Sequence, residues 1–191
     1  EFCIYDPLVN VPLLVKHPDL PAGRRDDQVE LLDCYHTVLD HVGAEGQGEP
    51  LDPDRSLLSD TYREFEGSEY AYVEYHRPVV ELKQLENKAA AAGIELDERS
   101  RFYSRMRAAR RVDGKYIRNE RIPDEAYRLD DDPGETEPVG TDDGVVADVE
   151  AALAAFEADV GGEWDEVGDD DVLSDMSDDA RSRLKDLGYI D

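Results

Sequence analysis

The stretch MRAARRVDGKYIRNE, residues 106–120, predicts a β-hairpin with its turn at Asp113-Gly114. An Asp-Gly pair is typical of tight hairpin turns, because glycine adopts the backbone conformations that such turns need. Upstream, EYAYVEYHRP (69–78) alternates apolar or aromatic residues with polar ones, which indicates a further antiparallel strand. Between them, VVELKQLENKAAAAG (79–93) predicts a helix that ends at Gly93. Together these elements predict a small antiparallel α+β unit with helical cover.

A different pattern precedes this unit. VPLLV (11–15) is a continuous apolar run bounded by prolines, which is typical of a strand buried on both faces of a parallel sheet. QVELLDCYHTVLDHVG (28–43) then predicts a helix, with Asp26 or Asp27 as its N-cap and Gly43 as a left-handed C-terminal residue. The helix has an apolar stripe that contains Val29, Leu32, Tyr35, Val38, Leu39 and Val42. A strand followed by a helix is half of a βαβ unit, so we expect a parallel neighbour strand from elsewhere.

The last part of the chain is acidic. VVADVEAALAAFEADV (145–160) and DDARSRLKDLGYID (178–191) predict helices, and GGEWDEVGDDD (161–171) predicts a linker between them. The Asp runs at 130–132 and 169–171 lack the alternating ligand spacing of a calcium loop. We therefore interpret both runs as solvated acidic surface.

The charge of the whole chain limits its environment and partners. The 191 residues include 48 Asp plus Glu against 21 Lys plus Arg, which gives a formal charge of −27. Five of the cations are Lys and 16 are Arg. Halophilic adaptation, in which molar salt shortens the Debye length to roughly 3 Å and screens this repulsion, is favoured over a mesophilic protein with an acidic tail. The same charge argues against nucleic acid as a partner.

Cysteine usage and hydropathy exclude other classes. Cys3 and Cys34 are too few and too far apart for a disulfide scaffold or a paired-cysteine zinc site, so we interpret them as small buried hydrophobes. The sequence has no apolar run long enough to span a bilayer, and no membrane partner is predicted. We expect a cytoplasmic protein in a high-salt cytoplasm, unless a segment upstream of Glu1 carries a signal peptide.

Basic residues concentrate in one segment. Residues 99–121 hold nine basic and two acidic residues. Pairing with the acidic C-terminal region is the favoured explanation, an entrance for an anionic substrate is the second, and a nucleic-acid patch is the third.

Two residues are candidates for binding a substrate. His76 and Arg77 stand at the end of a predicted strand and suit an anionic ligand, although an exposed surface pair is the favoured interpretation. His36, on the long predicted helix, is interpreted as a surface or packing histidine because no triad partner accompanies it. No residue of this chain is predicted to be catalytic or to bind a metal.

Several phrases of the chain, in their order, resemble the C-terminal third of the sulfatases of the alkaline-phosphatase superfamily. The phrases are YDPLVNVPLLVKHPDLPAGRR (5–25), QVELLDCYHTVLDHVG (28–43), LDPDRSLL (51–58), VDGKYIRN (112–119), AYRLDDDPGETEPV (126–139) and SRLKDLGYID (182–191). The resemblance implies an α/β fold. Residues 1–60 would be the last strand-helix units of the sulfatase domain, 61–138 a small antiparallel α+β C-terminal subdomain, and 139–191 an acidic helical tail.

The resemblance also implies a sulfuric ester hydrolase whose reacting groups lie outside this chain. In the family, the nucleophile is a formylglycine made from Cys or Ser followed by x-Pro-x-Arg, and calcium is the usual metal. Cys3 precedes Ile-Tyr-Asp and Cys34 precedes Tyr-His-Thr, so neither matches that motif. We expect the formylglycine and the calcium ligands upstream of Glu1, an anionic sulfated small molecule or glycan as substrate, and no activity from this chain alone.

Two alternatives remain open at this point. The chain could instead belong to a phosphodiesterase or phosphoglycerol transferase of the same superfamily, which a Thr or Ser nucleophile would distinguish from a sulfatase. It could also be a non-catalytic acidic scaffold or binding module. The oligomeric state is not predicted.

Overall fold

The computed structural model describes residues 2–43, 52–60, 68–140, 143–161, 164 and 177–186. Within them, four strands form one antiparallel sheet in the order β1-β2-β3-β4. The strands are β1 (Ala71–Tyr75), β2 (Met106–Arg110), β3 (Gly114–Asn119) and β4 (Glu125–Arg128). The α-helices in the described part are α1 (Asp6–Val9), α2 (Leu31–Val42), α3 (Val79–Ala91), α4 (Gly144–Val160) and α5 (Asp178–Asp186). The protein is therefore a mixed α/β structure.

The predicted hairpin and its neighbouring strand are confirmed. Strand β2 pairs with β1 and with β3, and Met106 lies opposite both Tyr75 and Asn119. The predicted turn at Asp113-Gly114 is one residue late. The amide of Arg111 donates to the carbonyl of Gly114 at 2.8 Å, so Val112 and Asp113 form the loop and Gly114 begins β3.

Two apolar clusters cover the two faces of the sheet. One cluster contains Ile4, Met106, Ala108, Ile117, Tyr127 and Leu129, and the other contains Ala109, Tyr116, Ala126, Val146, Val149 and Leu153. Neighbouring residues of one strand fall in different clusters, because successive side chains of a strand point to opposite faces. The N-terminal residues thus cover one face, and α4 covers the other.

Helix α4 belongs to the core of the sheet, although its sequence was assigned to the acidic tail. Val146, Val149 and Leu153 are fully buried against the strands. Asp143 caps its first turn by accepting a hydrogen bond from the amide of Val145 at 3.0 Å. The packing of α4 joins residues on both sides of the boundary predicted at 138/139.

The predicted buried strand at 11–15 is wrong. Residues 10–17 have no regular secondary structure, and Val11 and Leu13 to Val15 are exposed. The residues just before them form α1, with proline in its first turn. A strand needs a paired backbone on at least one side, and the described residues offer these five none.

Helix α2 exists, but its start and its buried face differ from the prediction. It begins at Leu31 with Glu30 as N-cap, because Glu30 and Asp33 form a reciprocal capping box that Asp26 and Asp27 do not offer. Gly43 ends it in the left-handed conformation, with φ 64°, as predicted. Four residues of the predicted apolar stripe, Leu32, Tyr35, Val38 and Val42, are exposed, whereas the polar residues Asp33 and His36 are buried.

Other predictions have mixed outcomes. Helix α3 is confirmed, and Gly93 follows it with φ 70°. Helix α5 confirms the start of the last predicted helix. Two predicted segments lie outside the described residues. One is the linker at 161–171 with its Asp run at 169–171, of which only Gly161 and Trp164 are described, and the other is the end of that helix at 187–191. Cys3 and Cys34 are free and half-buried. In the part of the chain that the structure describes, no helix is both long and apolar enough to cross a membrane.

Candidate functional site

A fully buried lysine lies at the centre of a polar cluster between β3 and the N-terminal segment. Lys115 extends from β3 toward the N-terminal segment, and its side chain has no exposed surface. Its Nζ donates to the carbonyl of Ile4 at 2.6 Å and to Oδ1 of Asp6 at 2.9 Å, and it lies 3.0 Å from Oε1 of Glu135. The ammonium thus forms two hydrogen bonds, and its contact with Glu135 is an ion pair.

Asp6 joins the lysine to a second cation. Its Oδ1 accepts from Lys115, and its Oδ2 accepts from Nε of Arg110 at 2.8 Å. Burial alone would raise the pKa of this carboxyl, but the positive charges of Lys115 and Arg110 outweigh burial and lower the pKa below its usual value. Asp6 is therefore held as a carboxylate between two cations.

Glu135 completes the cluster from the Asp-Pro-Gly-Glu turn. Its carboxylate accepts the backbone amide of Asp6 and contacts Lys115. Burial raises the pKa of Glu135 in spite of these two partners. Its backbone has φ 52°, a left-handed conformation that a non-glycine residue adopts at a cost of roughly 1–2 kcal/mol. The contacts of the side chain therefore hold a backbone conformation that is unfavourable by itself.

A second polar network lies beside this cluster. The hydroxyls of Tyr5 and Tyr127 both donate to Oε2 of Glu125 at 2.6 Å, and Arg101 donates to the hydroxyl of Tyr5. Burial, followed by the hydrogen bond to Glu125, raises the pKa of both phenols. The network thus fixes Tyr5, the residue before Asp6, to β4.

The two networks can hold the fold together but are closed to a substrate. A nucleophile or a general acid must reach a bound substrate, and the ammonium of Lys115 is enclosed by its own partners. A concavity along residues 95–99 contains no member of the cluster. The arrangement acts as an anchor that fixes the N-terminal segment and the Asp-Pro-Gly-Glu turn to β3.

The predicted substrate-binding pair lies elsewhere. His76 and Arg77 occupy the connection between β1 and α3, where His76 is exposed and Arg77 is half-buried. The pKa of the Tyr103 phenol is raised by partial burial and by its hydrogen bond to Glu86, and the positive charge of Arg77 opposes that shift. Arg77 is thus near Tyr103, and its role in anion binding stays a prediction.

The basic segment 99–121 forms ion pairs within the same chain, and part of them are with the acidic C-terminal region, as predicted. Its ion pairs include Arg107 with Glu74 and Glu157, Arg111 with Asp148, and Arg118 with Glu150 and Glu157. Most of these carboxylates belong to α4, downstream of the basic segment. The ring of Trp164 also lies over the guanidinium of Arg107, 4.5 Å from the ring centroid.

Sequence reasoning missed the polar face of α2. Asp33 and Asp40 accept hydrogen bonds from Arg55 and Ser56 at 2.8 and 2.6 Å, so the helix packs on residues 52–59 through its polar side. His36 is buried, and its Nδ1 accepts from the backbone amide of Asp52 at 3.1 Å, which confirms it as a packing histidine. The signal was present: residues 33, 36 and 40 recur at helical spacing opposite the apolar stripe.

The described residues do not provide the metal site that the resemblance implies for a complete enzyme. Among them, no group of three or more His, Cys, Asp or Glu side chains is arranged to hold a metal ion. Comparison of the chain with models of known protein families found no match, and comparison with curated proteins found none.

Proposed function

We propose that this chain is the C-terminal portion of a sulfatase-type hydrolase of the alkaline-phosphatase superfamily. The observation that carries the proposal is the buried cluster. Asp6, Lys115 and Glu135 belong to three of the phrases that resemble the family, and they contact each other at 2.9 and 3.0 Å. The cluster joins these three phrases in one structural unit, and this arrangement is the support that the fold offers for the proposal.

The reaction defines what this portion can contribute. Hydrolysis of a sulfate ester places a nucleophile against an anionic centre and leaves charge on the departing oxygen, so cationic groups stabilise the transition state. We propose that His76 and Arg77 contact the anionic part of a sulfated small molecule or glycan, since a guanidinium binds planar oxygen pairs with two hydrogen bonds. The formylglycine and calcium belong to the rest of the enzyme in this proposal.

The surface charge supports a saline setting. Many cations of the basic segment are paired inside the fold, while the whole chain keeps a formal charge of −27. The unpaired acidic surplus repels itself in dilute buffer and is screened in molar salt. We propose that the protein works in a high-salt cytoplasm.

The first test is the coding sequence upstream of Glu1, read in frame. A Cys-x-Pro-x-Arg or Ser-x-Pro-x-Arg segment there supports the proposal. The complete polypeptide, co-expressed with a formylglycine-generating enzyme and assayed in molar KCl, is expected to hydrolyse 4-nitrophenyl sulfate. Hydrolysis of bis(4-nitrophenyl) phosphate alone would indicate a phosphodiesterase, and no turnover of either ester would favour a non-catalytic binding module.

The proposed substrate contact has its own test. Arg77→Ala is expected to raise KM for an anionic sulfated substrate by about 10-fold or more, as loss of a charged hydrogen bond does. Arg183→Ala is the matched control, because Arg183 is an exposed arginine on α5, outside the basic segment 99–121. Equal KM values for the two variants would exclude Arg77 from the substrate site.

A further inference from the structure

Two of the four histidines of the chain meet at the end of α2. Nε2 of His17, in the segment that precedes the helix, lies 3.0 Å from Nδ1 of His41 in the last turn of the helix. The two ring planes are nearly perpendicular, at 88°, and the ring centroids are 4.8 Å apart. A neutral imidazole has one donor and one acceptor nitrogen, so at this distance one ring donates a hydrogen bond to the other. A single proton therefore lies between the two nitrogens.

An aspartate lies beside the second nitrogen of His17. The backbone amide of Asp19 donates to Nδ1 of His17 at 3.2 Å, and Oδ2 of Asp19 lies 3.7 Å from the same nitrogen. Because Nδ1 accepts a hydrogen bond, the proton of the neutral ring is on Nε2, which donates it to His41. The side chain of Asp19 is 85% exposed, so its carboxylate can turn toward the ring. Asp19 thus offers Nδ1 a donor when that nitrogen has no proton and an acceptor when it has one.

The arrangement resembles that of two histidine ligands on one metal ion. Two imidazole nitrogens bound to a tetrahedral zinc ion are about 3.3 Å apart, because each Zn–N bond is about 2.0–2.1 Å long. The nitrogens of His17 and His41, at 3.0 Å, need to separate only slightly to reach that distance. A histidine that binds a metal typically donates its other ring N–H to a carboxylate, which fixes the orientation of the ring. Asp19 has that position relative to His17.

We propose that His17 and His41 bind a divalent transition-metal ion such as Zn²⁺, and that Asp19 orients His17. The ion takes the place of the shared proton. That proton moves from Nε2 to Nδ1 of His17 and is donated to the carboxylate of Asp19, so both rings stay neutral and no proton is released. No group of three ligands is present among the residues that the structure describes, so water completes the coordination. The ion thereby links residues 10–17, which have no regular secondary structure, to the end of α2.

The type of ligand distinguishes this pair from the acidic surface of the protein. The chain contains 48 Asp plus Glu, and carboxylates favour hard cations such as Mg²⁺ and Ca²⁺, whereas imidazole suits Zn²⁺, Cu²⁺ and Ni²⁺. The other two histidines have different surroundings. His36 is buried and its Nδ1 accepts from the amide of Asp52, and His76 is exposed in the connection between β1 and α3. A transition-metal ion is therefore expected to prefer His17 and His41.

A titration with ZnCl₂ in molar KCl, followed by nitrogen-15 NMR of the histidine rings, tests the site in the unsubstituted 191-residue chain. The resonances of Nε2 of His17 and Nδ1 of His41 are expected to shift together and to saturate at one equivalent of Zn²⁺, while those of His36 and His76 stay unchanged. Zinc binding that leaves His17 and His41 unchanged would overturn the proposal, because cysteines or carboxylates would then hold the ion. Equal shifts of all four histidines without saturation would also overturn it, because the binding would then be nonspecific.

Substitutions separate the ligands from the residue that orients one of them. His41→Gln is expected to abolish saturable zinc binding, and the exposed His76 provides the matched control, His76→Gln, which should bind zinc like wild type. Asp19→Asn should weaken zinc binding by about 10-fold or more, because it removes the carboxylate that accepts the ring N–H, and Asp19→Glu should restore the affinity. Asp26→Asn is the control for loss of an exposed carboxylate, since Asp26 is 79% exposed.

Stability gives a second measurement on the same variants. Zinc should raise the urea midpoint of wild type, because an ion that binds the folded chain stabilises it, and this rise should be absent in His41→Gln. The metal site is refuted if His41→Gln binds zinc like wild type. The role of Asp19 is refuted if Asp19→Asn and Asp26→Asn have equal zinc affinities. These measurements do not involve hydrolysis, so their outcome is independent of the proposed function.

Discussion

Replacing Lys115 by Met removes the charge at the centre of the buried cluster and keeps most of the volume of the side chain. The Nζ atom lies 2.9 Å from Asp6 and 3.0 Å from Glu135, with no exposure to solvent. After the substitution Asp6 retains Arg110, whereas the buried carboxylate of Glu135 loses its cation. Removing one partner of a buried ion pair typically destabilises a protein by about 3–5 kcal/mol. We expect a loss in that range, a large part of the roughly 5–15 kcal/mol of a typical domain.

The stability lost in Lys115→Met depends on pH, and the pKa shifts of Asp6 and Glu135 determine the direction of that dependence. The pKa of Asp6 is lowered, so its contribution is present above the unfolded value near 3.8 and disappears as pH falls through the lower folded pKa. The pKa of Glu135 is raised, so its ionisation opposes folding as pH rises through and above 4.5. Without Lys115 both carboxyls bind protons more readily in the folded state. The difference in unfolding free energy between Lys115→Met and wild type should therefore become smaller as the pH falls from 7 to 5.

The assay is urea unfolding followed by far-ultraviolet circular dichroism in molar KCl. With an m-value of about 2 kcal/mol/M, a loss of about 4 kcal/mol lowers the midpoint by about 2 M. Lys83→Met on α3 is the control, because Lys83 is exposed and its replacement should change stability by about 0.5 kcal/mol at most. The reasoning is refuted if the two variants lose the same stability, or if the gap between Lys115→Met and wild type stays constant down to pH 5.

Three further predictions concern packing, a phenol and salt. Gly114→Ala would place a Cβ 2.7 Å from Cγ1 of Val145, so overpacking should lower the unfolding free energy by about 1–3 kcal/mol, and Val145→Ala should restore part of it. Gly144→Ala, with no atom within 4 Å of the added Cβ, is the control and should be neutral or stabilising. Burial raises the pKa of Tyr75 to about 12, so Tyr75→Phe should remove a late-titrating part of the absorbance change at 295 nm, and stability should fall between pH 10 and 12 because the unfolded phenol ionises first. The urea midpoint should rise from 0.1 M to about 2 M KCl because salt screens the acidic surplus; a lower midpoint at high salt would contradict the halophilic interpretation.

Elements with local signals could be predicted from the sequence. The alternation in 69–78, the hairpin and the left-handed Gly43 each depend on a few neighbouring residues, and the structure confirms them. Gly114 shows the limit of such signals. It was interpreted as a turn residue, but it begins a strand, and its missing side chain is what admits Val145 of α4. The contact that requires glycine is formed by a residue 31 positions away in sequence, which no local pattern contains.

The N-terminal part shows how a correct pattern can lack its environment. The apolar run at 11–15 predicts a strand between neighbours, and the described residues supply no neighbour, so the run lies exposed. The stripe of α2 likewise predicts a buried face, but residues 52–59 bind its polar side. In both segments the pattern predicts a neighbouring element that the described residues do not include. The substrate contact of His76 and Arg77 remains a prediction for a related reason, since it depends on groups outside the described residues.

The buried cluster could not be predicted because its contacts join residues far apart in sequence, yet it explains how the sheet keeps its register. Lys115 and Arg110 face the same side as Ile117 and Ala108, toward Ile4 and Asp6. A slip of β3 by one residue would turn the ammonium toward the other face, against the apolar side chains of α4. A charge buried there without a partner is strongly unfavourable, whereas an apolar residue at position 115 would tolerate either face. Replacing all members of a buried ion pair by apolar residues is often neutral, so we infer that the main contribution of the intact cluster is to exclude the shifted pairing. The same contacts fix the N-terminal segment to the sheet, and they thereby set the direction in which residues 11–42 leave it.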